Sequence, residues 1–369
     1  MARKLKADKV LFLATLLLVC ASVLMVYSAS AVLAMDRYQQ PYLFLIKQMT
    51  WAVLGVFLFW VIMRIDYRSY RQPLVIWTGL GVVGLALVAV LFSAPINGTR
   101  RWFGGGFIGI QPSELAKLTL IIFTAAILER RMDRVGEAPH VLLPVGVVAG
   151  VMAGLIVAQP DYGTAATLLF IAAGMVFVAG LPYRYIVGLA LTMAPIAYLV
   201  LISAGYRRQR LLAFLDPWSD PLGGGFQIIQ SLIAVGTGGM FGRGLMAGVQ
   251  KLFYLPEPHT DFIYAVIAEE LGFVGATAVL ACFCLIAWRG LRTAARAPDR
   301  FGALLAIGLT LMIALQAFMN ISVVLGLMPT KGIPLPLVSA GGSSLLITLV
   351  GMGMLVNVSQ HATLPADAA

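Results

Sequence analysis

The chain has 369 residues, of which 60% are hydrophobic and 11% charged, and its formal net charge is +10. A mean hydropathy of +0.92 describes a polypeptide whose solvent is mostly lipid, which excludes an ordinary soluble domain. The three cysteines, Cys20, Cys282 and Cys284, all fall in apolar runs without metal-like spacing, so they imply no disulfide framework.

Measured against a span of roughly 20 apolar residues, runs near 10–34, 42–63, 74–94, 117–129, 141–158, 162–180, 186–204, 264–288, 303–325 and 344–361 give ten candidate helices. The expected fold is an all-α polytopic membrane protein with ten transmembrane helices, forming a single integral membrane domain over 1–369. The 117–129 run can span only if its helix extends into its flanks. The first run follows a basic start, but it is longer than a signal-peptide core and nine more spans follow, so an uncleaved helix is expected.

Lys and Arg are retained in cytoplasmic loops, and this sets the orientation. With the N-terminus inside, the inner segments carry Arg3, Lys4, Lys6 and Lys9, then Arg64, Arg68 and Arg71, then Arg130, Arg131 and Arg134, then Arg184, then Arg289, Arg292, Arg296 and Arg300. That is 15 basic residues inside against 10 outside, with Lys47 near a helix end. Both termini are therefore expected in the cytoplasm of a multi-pass membrane protein.

Eight of the ten outer basic residues fall in two loops: Arg100, Arg101 and Lys117 in the first, and Arg207, Arg208, Arg210, Arg243 and Lys251 in the second. Long loops translocate regardless of charge, so tolerated surface arginine is one reading. An outward-facing anion site is the other, because the planar guanidinium fork suits phosphate and the natural anion at a membrane surface is a lipid headgroup.

The first outer loop, NGTRRWFGGGFIGIQPSELAK, ends in a helix start at Pro112, Ser113 and Glu114. Glu114 and Lys117 are three apart and share a helix face, which permits a local salt bridge. The second, a large extracytoplasmic loop over 205–262 between helices 7 and 8, is too long to be a simple connection. Its FQIIQSLIAVGTGGMFG stretch is apolar enough to dip back toward the membrane as a re-entrant or half-helical segment. The third, PTKGIPLPLVSAGGSS, carries three prolines and Lys331, and reads as another ordered cap.

The segment KLFYLPEPHTDFIYAVIAEELG concentrates His259, Asp261, Glu269 and Glu270 in a chain with only 16 acidic residues. Charges within a membrane span cost several kcal/mol and are functional-site candidates by default. Thr260 and Asp261 fit an N-cap with a first-turn carboxylate. They equally fit a general base, since a carboxylate at the membrane surface beside Phe262 and Tyr264 has its pKa raised by desolvation and can take a proton from a sugar hydroxyl. Glu269, eight residues on, is expected on the face of Asp261 and to support the cavity. Glu270 is expected to pack against another helix near Gln316 and Asn320, and His259 to shape the loop. With no P-loop and no GxGxxG after a strand, no nucleotide is expected; no nucleic-acid partner is expected either.

Four blocks now carry a resemblance: QPSELAK, GGGFQIIQSLIAVGTGGMFGRGL, YLPEPHTDFIYAVIAEELG and PTKGIPLPLVSAGGSS, in this order and over most of the chain, are similar to the signature blocks of the SEDS family (shape, elongation, division and sporulation), typified by FtsW and RodA. The resemblance implies a peptidoglycan glycosyltransferase that polymerises lipid II into β-1,4 glycan and releases undecaprenyl pyrophosphate. It implies a class B penicillin-binding protein as partner, with other divisome or elongasome membrane proteins and membrane lipids around it. Asp261 takes the place of the family's catalytic aspartate in HTDF. Arg100, Arg101 and Lys117 fall in regions tied to activity; these, with Arg210, Arg243 and Lys331, are expected to stabilise the leaving pyrophosphate. Glu114, His259, Glu269, Glu270 and Ser339 are expected to support them.

The PTKG form with Lys331 resembles the division branch more than the elongation branch, while Ala340 stands where the family's SYGGSS form has Tyr. The resemblance leaves room for a divalent cation, Mg2+ or Mn2+, at the pyrophosphate, with Asp261 as its neighbour, although no dedicated ligand cage is visible. Two other classes share the gross pattern, a lipid II flippase or other transporter and a non-catalytic division scaffold. A transporter would place its polar residues near the bilayer midplane, whereas these cluster toward one face.

Overall fold

The computed structural model describes residues 7–95, 98–104, 109–134, 138–185, 187–188, 191–192, 195 and 205–362. The expected seventh span over 186–204 lies almost wholly outside these residues, as do Arg3, Lys4 and Lys6 and the side chains of Arg134, Arg207 and Arg208.

Eleven α-helices are delimited among the described residues: α1 Lys9–Tyr38, α2 Leu43–Ile62, α3 Pro73–Ala89, α4 Pro112–Arg131, α5 Ala138–Ala158, α6 Tyr162–Val178, α7 Gly205–Leu215, α8 Phe226–Thr237, α9 Ile263–Ala295, α10 Arg300–Val324 and α11 Gly342–His361. The only bridge between extended residues among them joins Phe103 to Ile110. Seven of the described helices are long and apolar enough to cross a membrane. The protein is an all-helical, multi-pass membrane protein.

Helix starts follow local chemistry. Asp8 caps α1 by accepting from the Val10 and Leu11 amides, and Asp299 caps α10 by accepting from Gly302. Pro112 occupies the first turn of α4, where a missing amide proton costs nothing. The helix then runs 20 residues to Arg131, extending into both flanks of the apolar run.

The bundle has a dry centre and a lipid-facing shell. In their apolar windows α10 and α11 are 72% and 83% buried, whereas α3 is only 22% buried and presents its side chains to lipid. Contacts also sort the chain into two ends. At one, Arg289 pairs with Asp8, Arg68 with Asp299 and Arg71 with Glu129, and Asn357 holds the Tyr67 amide and the Met63 carbonyl. This end gathers segments expected on the inner side. The other end gathers the three loops expected on the outer side.

The run near 264–288 forms one long helix, α9, broken at Gly272, whose φ of 68° and ψ of −165° suit glycine alone. A break frees carbonyls before it and amides after it, and groups buried without partners would cost several kcal/mol each in a membrane. Residues 239–244 supply those partners. The Arg243 and Gly244 amides donate to the Glu269 and Glu270 carbonyls, while the Phe273 and Val274 amides donate to the Gly239 and Met240 carbonyls. The stretch of α9 before the break is buried throughout from Ile263 to Glu270, and beyond it Phe273 and Val274 are exposed.

The expected pairing of Glu270 with Gln316 and Asn320 is not what the structure has. Glu270 accepts from Ser28 of α1 at 2.7 Å, from Lys251 at 2.5 Å and from the Met246 amide at 3.0 Å. The loop folded over the α9 break brings Lys251 to the carboxylate, and a buried carboxylate is stable only with such charged and hydrogen-bonded company.

Candidate active site

At the end of the bundle opposite Asp299 the second and third loops are laced together around Asp261. The Thr260 carbonyl accepts from Ser339 Oγ at 2.5 Å, and Ser339 Oγ in turn accepts from the Leu335 amide at 2.8 Å. The His259 carbonyl accepts from the Ala340 amide at 2.9 Å. Asn320 Nδ2, on the central helix α10, donates to the Asp261 carbonyl at 2.7 Å and to the Ile333 carbonyl at 2.8 Å. Asp261 is thus fixed through its backbone, with its side chain left for other work.

Neither Thr260 nor Asp261 caps α9. The N-cap is Phe262, which makes no side-chain cap bond, and Thr260 Oγ1 instead bonds Glu257. Since Asp261 precedes the helix, the expected eight-residue helical register with Glu269 does not apply.

The Asp261 carboxylate is half-buried, and no described residue places a hydrogen-bond donor on it. It lies against Gly332, where an added Cβ would stand 3.0 Å from Oδ2. Burial, followed by the negative charge of Glu257, pushes its pKa up to about 7; Asp161 adds to the rise, while Arg210 and Arg101 oppose it.

The surrounding charges come from separate loops. Arg101 Nε donates to the Gln159 carbonyl at 3.0 Å, and its terminal nitrogen reaches the Pro160 carbonyl, tying the loop before α4 to the turn between α5 and α6. Arg210, on α7, donates to the Thr330 carbonyl at 3.3 Å. Lys331, next along, is half-buried, and burial pulls its pKa down. Asp161 is buried at the start of α6, where it accepts from Thr164 and from Gln111 Nε2 at 3.1 Å.

The other expected site residues lie elsewhere in the network. Arg100 donates to the Leu91 carbonyl at 3.0 Å and is not among the largest influences on Asp261. Lys117 is buried, paired with Glu114 at 2.9 Å and donating to Gln316 at 2.9 Å. Gln316 in turn donates to the Pro334 carbonyl at 3.2 Å, which links that pair to the third loop. Arg243 stands 3.6 Å from Glu269, whose carboxylate also accepts from the Val249 amide at 2.8 Å. Glu269 and Glu270 therefore hold the loop over the α9 break. His259 is buried against the Phe44 ring at 4.8 Å, and burial keeps its pKa low.

Asp161, Glu257 and Asn320 belong to this site although sequence reasoning gave none of them a role in it. For Asp161 a signal existed, an acidic residue just before an apolar run with Thr164 three positions on, the pattern of a helix cap.

Residues 8–364 match the family model of the cell cycle proteins FtsW, RodA and SpoVE. The chain belongs to this family. Among its relatives, a protein of Geobacter sp. (strain M18), named a probable peptidoglycan glycosyltransferase FtsW, is 44% identical, with 95% of this chain and 96% of the relative covered. Stage V sporulation protein E of Bacillus subtilis (strain 168) is 42% identical over 98% of this chain and 99% of its own. One chain of a solved peptidoglycan synthase complex, described as coordinating polymerization and crosslinking, superposes with a TM-score of 0.79 at 35% identity, covering 96% of this chain and 98% of that one.

Proposed function

We propose that the chain is a peptidoglycan glycosyltransferase that polymerises lipid II into β-1,4 glycan strands. The observation that carries the chemistry is the Asp261 carboxylate: half-buried, held by its backbone, without a described donor, and with a pKa near neutrality. A general base works best when its pKa lies near the working pH. Asp261 takes the proton from the acceptor sugar's 4-hydroxyl, and the oxygen forms a bond to the donor's anomeric carbon. The bond from that carbon to the phosphate oxygen breaks with inversion, and its electron pair leaves with undecaprenyl pyrophosphate.

Negative charge develops on that leaving group, so cationic donors aimed at it are worth most in the transition state. Arg101 and Arg210 suit this role, since both act electrostatically on the position of Asp261. Lys331, beside Gly332, completes the basic rim. Lys117 and Arg243, each paired with a carboxylate, support the walls.

Among the described residues no group of three His, Cys, Asp or Glu side chains is placed to hold a metal ion. The described residues offer a divalent cation no protein cage.

The proposed setting is a bacterial inner membrane, with termini inside, Asp261 on the outer face and the 205–262 segment as an extracytoplasmic cap. The division role rests on the PTKG form and the FtsW-named relatives. The proposed partner is a class B penicillin-binding protein that crosslinks the glycan.

The test is polymerisation of labelled lipid II by the purified chain with its partner. Wild type should yield glycan polymer and a folded Asp261→Ala variant none. Equal polymer from both would remove Asp261 as the base.

A further inference from the structure

The end of the bundle opposite Asp261 carries an open cleft of about 720 Å³ between the start of α3 and the last turn of α4. Its walls include Arg68, Arg71 and Arg130, with Asp66, Glu129 and Gln72 beside them. Arg68 lies between Asp66 at 3.8 Å and Asp299, and Arg71 faces Glu129, so the charges balance and Arg130 is the cation without an acid partner among the described residues. The acids do not consume the arginines' donors: Arg71 meets Glu129 through one terminal nitrogen at 3.2 Å, and Arg68 bonds Asp299 through Nε at 3.1 Å, while a guanidinium has five N–H groups. Arg130 is exposed, and no described residue pairs with it. The start of α3 adds to this field, because Gln72 forms no side-chain cap and Pro73 follows at the first helical position.

An anion is what such a cleft attracts, and the surface beside it says which kind. Immediately beyond the cleft, α3 exposes Leu74 at 77% and Trp77 at 64%, and the indole ring stands edge-on to Phe123 at 6.3 Å. An exposed tryptophan one turn into a span marks the boundary between headgroups and hydrocarbon. A cleft rich in unspent guanidinium donors that continues into a lipid-facing apolar strip matches a molecule with a phosphate head and acyl tails. Basic pockets at the ends of membrane helices bind such headgroups.

We propose that this cleft is a binding site for an anionic phospholipid, with Arg71 and Arg130 on the phosphate, Arg68 beside it, and the acyl chains along Leu74 and Trp77 of α3. The site is independent of the chemistry proposed at Asp261. A lipid held here braces the α3 start against the α4 end, so local membrane composition tunes the stability of the peripheral helix.

Native mass spectrometry of the full-length protein, incubated with phosphatidylglycerol or phosphatidylcholine, tests this. Wild type should retain phosphatidylglycerol about fivefold or more over phosphatidylcholine, in line with the attraction of each arginine for an anionic surface. The Arg71→Gln/Arg130→Gln variant should bring the two within about twofold. Glu129→Gln, which removes an opposing charge, should raise retention of phosphatidylglycerol, and it keeps the test decisive if the double variant fails to fold. Arg292→Gln, at the same end but outside the cleft, should change nothing. Equal retention of both lipids by wild type, an unchanged preference in the double variant, or no gain from Glu129→Gln would overturn the site. Full displacement of the lipid by an equal concentration of inorganic phosphate would overturn the lipid assignment and leave a bare anion site.

Discussion

Asp261 and Asp299 are both half-buried carboxylates just ahead of long helices, at opposite ends of the bundle, and their surroundings drive them in opposite directions. Burial opposes ionisation of Asp299, but Tyr67 OH at 2.5 Å, the Gly302 amide at 2.7 Å and Arg68 Nε at 3.1 Å hold its pKa below the ordinary range. Burial raises Asp261 to about 7, and no described donor relieves it. A helix end built to last satisfies its acid, whereas a helix end built to react leaves its acid wanting a proton.

Exchanging each acid for its amide separates the two roles. Asp261→Asn should cut lipid II polymerisation by about 10²-fold or more, the usual worth of a positioned base, while leaving thermal stability at pH 8 equal or higher because an unfavourable buried charge is gone. Asp299→Asn should do the reverse: polymerisation per folded molecule stays near wild type, and stability falls by roughly 1–3 kcal/mol through the lost charged hydrogen bonds. Thermal unfolding in detergent and a gel assay of glycan length read both. A large stability loss in Asp261→Asn would make it structural after all.

Backbone strain offers the next contrast. At Gly272, where φ is 68°, any side chain meets strain of roughly 1–3 kcal/mol, and a Cβ would stand 2.2 Å from the Gly242 amide nitrogen. Gly272→Ala should therefore reduce folded yield and loosen residues 239–251, read as faster proteolysis of that segment. At Gly332, where a Cβ would meet Asp261 Oδ2 at 3.0 Å, alanine should keep the fold and cost several-fold in rate.

Long apolar stretches were legible in the sequence because a span must be apolar over its whole length, and α1, α2, α10 and α11 begin and end within a few residues of the runs that predict them. The break in α9 was not legible: Gly272 is one of 38 glycines, and its conformation depends on residues 239–244 arriving from a separate loop. The partners of Glu270 were missed for a related reason, since Ser28 lies 242 positions away and no local periodicity encodes that meeting. At the site, Asp261 stood out because a charge beside an apolar run is costly. Asn320, which fixes it through a backbone carbonyl, is an ordinary polar residue in an apolar helix until its neighbours are seen.

The pH dependence separates the two ends next. Asp299, with its pKa lowered on folding, contributes stability that is present above the unfolded value of about 4 and lost as pH falls through the folded value. Asp261, with its pKa raised, binds more protons folded than unfolded between about 4 and 7, so its contribution to stability falls as pH rises across that window and levels off above it. As a base it must be ionised, so the polymerisation rate should climb through pH 7 and then plateau. A rate flat from pH 5.5 to 8.5 would contradict a titrating base.

The smallest expected effect is the most diagnostic, because it moves the midpoint of that profile without touching the base. Arg101→Gln and Arg210→Gln remove charges that favour the carboxylate, so each should move the midpoint to higher pH; Asp161→Asn and Glu257→Gln remove charges that oppose it and should move the midpoint lower. Glu257 has the larger influence of the two acids but is exposed, so its effect should shrink in high salt, whereas that of buried Asp161 should persist. The same changes made at Asp66 and Glu129, at the other end, should leave the midpoint where it is. A midpoint that ignores all four neighbours would place the titrating group somewhere other than Asp261, even if the plateau rate fell in every variant.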